Sequence, residues 1–112
     1  MKRAILLIVL IALFAACPVA ERNPLVGSWS FAVGNFLLRL TFSQDMRFTE
    51  EGRDSDGFPF FYEGDYEYTD TEIVLYYDWD LPAYCDYNFY DDGQGLRISN
   101  IDTKVTFFLT KD

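Results

Sequence analysis

The chain has 112 residues, with 9 basic and 18 acidic side chains, no histidine and a net charge of −9. That length holds one modest domain. The acidity, with Arg39, Arg47, Arg53, Arg97, Lys104 and Lys111 scattered among carboxylates, argues against a nucleic-acid partner, which rewards clustered cations, and against charge-driven attachment to anionic lipid.

Met1, Lys2 and Arg3 form a charged start, and Ala4 to Ala16 is an uninterrupted apolar run ending in small side chains. This is the layout of an export signal over residues 1–16, carried as a short helix. At about 1.5 Å per residue the run reaches about 20 Å, short of a hydrocarbon layer of roughly 30 Å, so a permanent span is the weaker reading. Leu13-Phe14-Ala15-Ala16-Cys17 resembles the lipobox of bacterial lipoproteins, with Phe14 where Leu is usual. The resemblance implies a lipidated Cys17, membrane attachment through that lipid, and a place in the cell envelope. More than one acyl chain makes such an anchor stable, at about 0.8 kcal/mol per buried methylene. Residues 17–24 then read as the lipidated cysteine and a tether reaching about 25 Å. A Cys17–Cys85 disulfide is the competing use, and it requires a product that keeps Cys17 unlipidated. With Cys17 modified, Cys85 is expected to be a small buried apolar residue.

From Leu25 onward apolar residues recur at every second position, which predicts an all-β domain over 25–112. Leu25–Val33 places Trp29, Phe31 and Val33 on one face, and Gly34-Asn35 turns the chain into Phe36–Phe42, where Phe36, Leu38, Leu40 and Phe42 share a face. Ser43-Gln44-Asp45-Met46 predicts a turn, Arg47–Glu51 a short strand around Phe48, and Gly52–Gly57 a polar loop. Tyr62–Tyr68 alternates cleanly, rings and Gly64 on one side and every acid on the other. Glu72–Asp78, Tyr84–Tyr90, Leu96–Ser99 and Val105–Thr110 complete about eight short strands, the last with Val105, Phe107 and Leu109 inward. Tight turns throughout favour an antiparallel up-and-down meander, closed or nearly closed into a small barrel that removes exposed edges.

Asn23-Pro24-Leu25-Val26-Gly27-Ser28-Trp29 resembles the "LVGTW" opening of lipocalin-like domains of bacterial secreted proteins. Leu40 to Phe48 is similar to their "F-x-x-D-G-x-F" hairpin, with Met46 in place of the turn glycine; Gly64 to Tyr68 is similar to their "G-x-Y" strand, and Phe107 to Lys111 to their closing strand. The resemblance implies a calycin-like barrel whose relatives in some cases bind hydrophobic molecules.

Without histidine the commonest general base, the usual catalytic zinc ligand and any Ser-His or Cys-His pair are missing, which points away from an enzyme. A carboxylate pair remains the one catalytic option, and most acids alternate outward. Asp54-Ser55-Asp56-Gly57 holds the first ligands of a calcium loop but no closing glutamate, so an Asp-Gly turn is the simpler reading; no metal or cofactor is expected. The remaining signal is aromatic: 2 Trp, 8 Tyr and 11 Phe, with all the tyrosines between Tyr62 and Tyr90. Tyr62, Tyr66, Tyr68, Tyr77 and Tyr87 are candidates to line a site for a small hydrophobic or amphipathic ligand, against the alternative of a packed core. Trp79 and Leu81, on a loop with acids, are either a contact surface for an envelope protein or a plug over one barrel end.

Overall fold

The computed structural model describes residues 23–112; the expected signal over 1–16, the lipidated Cys17 and the tether through residue 22 lie outside the described residues. Alternation becomes eight strands: β1 (Gly27–Val33), β2 (Phe36–Phe42), β3 (Arg47–Arg53), β4 (Pro59–Tyr68), β5 (Glu72–Tyr77), β6 (Ala83–Tyr90), β7 (Gly95–Asn100) and β8 (Thr106–Lys111). Each pairs antiparallel with the next, and β8 returns to β1, so the sheet is a closed barrel in meander order. The closing seam is the thinnest pairing: Trp29 opposite Lys111 and Ser30 opposite Thr110, extended by the Asp112 N–H donating to the Ser28 carbonyl. Lys111 Nζ lies 5.4 Å from the centre of the Trp29 ring, adding a cation–π contact at that seam.

The two ends of the barrel differ. At one end, the turns after β2, β4 and β6 and the incoming chain cover a tightly packed interior. Leu25, Trp29, Leu96 and Leu109 are wholly buried there, with Phe42, Phe48 and Tyr66 nearly so. Burying each such side chain contributes about 1.5–3 kcal/mol. The incoming segment is tied down by polar contacts: Trp29 Nε1 donates to the Leu25 carbonyl (3.0 Å), Tyr66 Oη to the Ser43 carbonyl (2.9 Å), and Asn23 Nδ2 to Tyr66 Oη (2.7 Å). Asn23 and Pro24, assigned above to the tether, thus begin the barrel itself, and Leu25 is its plug. The opposite end, bounded by the turns after β1, β3, β5 and β7, is the mouth.

Two local differences from the expected strands, and one turn that lacks its usual glycine, have physical causes. Gly52 and Arg53, expected in a loop, continue β3, with Gly52 opposite Leu38 and Phe60. A Cβ on Gly52 would strike the Leu37 carbonyl, so glycine lets β2 and β3 close together and hold pairing for one more step. Met46 adopts the left-handed backbone (φ 67°) that its turn position demands, at a cost a glycine would avoid. Val33 and Val105, expected inward, are 61% and 50% exposed because both stand at the rim of the mouth.

Outside, the dispersed arginines are laced into the acids across strands. Arg47 bridges Asp65 (3.0 Å) and Asp78 (3.1 Å), Arg97 reaches Asp86 (2.9 Å), and Arg39 reaches Asp112 (3.1 Å).

Candidate functional site

Below the mouth the barrel is not filled. A cavity of about 180 Å³ is walled by Leu38 and Leu40 of β2, Leu75 of β5, Ile98 of β7 and Phe107 of β8. It opens outward past Glu50, Tyr77, Ala83, Asn100 and Thr103, which it shares with a wider vestibule of about 400 Å³ bounded by Tyr62, Asp80, Leu81, Pro82 and Asp102. A largely apolar pocket with a few convergent polar groups is the usual form of a small-molecule site.

Glu50 is the unexpected member. Alternation from the buried Phe48 turns it inward, between Leu40 on β2 and Tyr62 on β4. Tyr77 Oη donates to Glu50 Oε1 at 2.5 Å. Burial pushes the carboxyl pKa above its ordinary range, opposed by that hydrogen bond. Burial, then the charge of Glu50, pushes the Tyr77 phenol far upward, so it remains a protonated donor at neutral pH. Among the described residues no lysine or arginine pairs with Glu50. Asn100 holds the rim: its Oδ1 accepts the backbone N–H groups of Asp102 (2.8 Å) and Thr103 (3.0 Å), fixing the β7–β8 loop over the opening. Cys85 is buried with a free thiol on the cavity wall, its pKa pushed up to about 11 chiefly by burial.

The five candidate tyrosines do not converge. Tyr62 and Tyr77 stand together at the mouth, their rings edge-on at 6.1 Å. Tyr66 and Tyr87 are buried toward the other end, where the Tyr87 hydroxyl donates to the Thr69 carbonyl (2.5 Å), and Tyr68 lies half-buried beside Tyr66. Trp79 and Leu81 plug nothing: they are 96% and 81% exposed on the β5–β6 loop, with Leu81 edging the vestibule. Phe58, Ile101, Val33 and Val105 are exposed around the same mouth. Asp54 Oδ1 accepts the N–H groups of Asp56 and Phe58, closing the Asp-Gly turn at Gly57 (φ 89°). Among the described residues no group of three or more acidic or cysteine side chains could hold a metal ion.

Comparison with protein-family models, with curated proteins and with solved structures finds no match to this chain. The reading of the site therefore rests on its own chemistry. Glu50 and Cys85, both on the cavity wall, are site residues that the aromatic pattern does not mark. The pattern Phe48-Thr49-Glu50 carried the signal, since the second residue beyond a buried Phe shares its face.

Proposed function

We propose that this protein is a non-enzymatic, lipid-anchored binding module of the bacterial cell envelope that takes a small amphipathic molecule into the mouth of its barrel. One observation carries the reading: an open, largely apolar cavity is lined by a half-buried, inward-facing carboxyl, Glu50, with a tyrosine partner and, among the described residues, no cation beside it. A carboxylate held partly out of water with no cation costs stability, and residues kept at such a cost concentrate at functional sites. The likeness of Asn23–Trp29 and Leu40–Phe48 to lipocalin-like domains, and of Leu13–Cys17 to a lipobox, supports the carrier and anchor parts of the proposal.

Nuclear magnetic resonance titration with small amphipathic molecules tests the cavity. Shifts confined to Leu38, Tyr77, Ile98 and Phe107 at millimolar probe or below are expected; no probe perturbing these residues would overturn the reading. Mass spectrometry of protein from its host tests the anchor, since an unmodified Cys17 in the mature product would refute it.

A second reading, an interaction module for an envelope protein, has its own support. Trp79 is 96% exposed on the same loop as Leu81 and Asp80, a setting in which an apolar anchor and a basic partner would meet. Replacing Trp79 with Ser would weaken such a contact and leave binding in the cavity intact.

A further inference from the structure

We infer that the molecule this cavity selects is a small apolar monocation, an amine with a single-ring or short hydrocarbon body, whose ammonium group pairs with Glu50. The inference rests on the cavity reading above and specifies its ligand. The body is set by the wall. Leu38, Leu40, Leu75 and Ile98 offer no hydrogen bonds from their side chains, and about 180 Å³ compares with the roughly 150 Å³ of an engineered apolar cavity that admits benzene.

The charge is set by what lies between wall and solvent. Glu50 presents a carboxylate whose Oε1 receives the Tyr77 hydroxyl, leaving Oε2 without a hydrogen-bond donor among the described residues. An ammonium group donates to that oxygen and to the remaining lone pair on Tyr77 Oη, with its third proton toward the vestibule. Asp80 and Asp102 border the route in, so the field along it draws cations and repels anions. Lys104, on the same β7–β8 loop, is exposed and lines neither hollow. An anion would meet Glu50 head-on, and a neutral ligand would leave the carboxylate desolvated and unpaired. A metal ion would find a single carboxylate in the cavity wall, and among the described residues no three acidic or cysteine side chains come together to hold one.

The test compares three probes of one shape on the protein: benzylamine, benzyl alcohol and benzoate, titrated while following resonances of Tyr77, Ile98 and Phe107. Benzylamine should bind about tenfold or more tighter than benzyl alcohol, the gain of a charge-assisted hydrogen bond, and benzoate should not bind. Glu50→Gln should remove the preference, lowering benzylamine affinity by the same factor while leaving benzyl alcohol within about twofold. Tyr77→Phe, which keeps the ring, should cut it less, and unchanged dispersion of the Trp29 and Leu109 signals would show that both variants fold. Equal affinity for amine and alcohol, or amine binding indifferent to Glu50→Gln, would overturn the inference while leaving an apolar cavity site in place. Failure of all three probes to bind would overturn both.

Discussion

Replacing Glu50 with Gln should stabilise this protein, and the gain should depend on pH. The Gln amide has nearly the same volume and keeps a carbonyl to accept the Tyr77 hydroxyl, so the change removes the charge and little else. Burial raises the Glu50 pKa in the folded state above the unfolded value of about 4.3. The folded form then binds the proton more tightly than the unfolded form. Unfolding free energy accordingly falls as pH climbs through the unfolded pKa toward the raised folded one, and stays at its reduced level beyond. Because the Tyr77 hydrogen bond offsets part of the burial, the gain at pH 7 is what burial leaves over. In a domain of this length each kcal/mol of such a gain raises Tm by about 4–8 °C. Thermal unfolding at pH 7 and pH 4 measures it: the variant should lead at pH 7 and the two curves should converge at pH 4. An equal gain at both pH values, or a loss at pH 7, would show that Glu50 is not a desolvated carboxylate. Glu50→Leu should gain less, because it strands the Tyr77 hydroxyl at a cost of about 1–3 kcal/mol.

Trp29, wholly buried where the plug meets the β1–β8 seam, should cost about 3–5 kcal/mol when cut to Ala, a large share of the roughly 5–13 kcal/mol typical of a domain this size; urea unfolding reads the loss. Gly64→Ala should cost about 1–3 kcal/mol in the same assay, since a Cβ there would strike the Tyr76 carbonyl, and backbone cannot swing aside. Cys85, with its pKa near 11, should react with iodoacetamide at pH 8 about two hundredfold more slowly in the native protein than in urea. Trp79→Ser should leave the unfolding midpoint within about 0.5 kcal/mol of the parent, given its exposure.

The barrel was legible because strict alternation and compact turns agree over the whole domain. Phe36–Phe42 and the acid-outward run from Tyr62 to Tyr68 define faces that the closed sheet keeps. The errors fall where a residue's type misleads about its place. Gly52 and Arg53 look like loop residues, yet a glycine that permits close backbone approach prolongs the pairing. Val33 keeps the inward parity of β1, and Val105, just before β8, keeps that of Phe107 and Leu109, but parity says nothing of depth, and both sit beyond the last covered layer. The site was harder to see. Aromatic content drew attention to Tyr66 and Tyr87, which spend their hydroxyls on backbone carbonyls of the packed end, while a single inward acid decides the character of the mouth.

The contrast between the ends bears on how the module would work in place. Asn23, Leu25 and Trp29 close the end at which the chain enters, using Tyr66 as a shared latch. Any attachment upstream of Asn23 therefore pulls on the rigid, packed end. Under the proposed anchoring at Cys17, that end faces the bilayer and the cavity, with Glu50, Tyr77 and the acidic rim, faces away from it. Side chains spent on stability and side chains available to a ligand are thus separated along the barrel axis. The thin β1–β8 pairing is clamped by Trp29 and Lys111 at the closed end, while Phe31 meets Phe107 across the same seam near the mouth. Adjustment to a ligand's shape then falls to the mouth, where the loops carrying Phe58, Trp79, Leu81 and Ile101 are exposed, and leaves the latched end undisturbed.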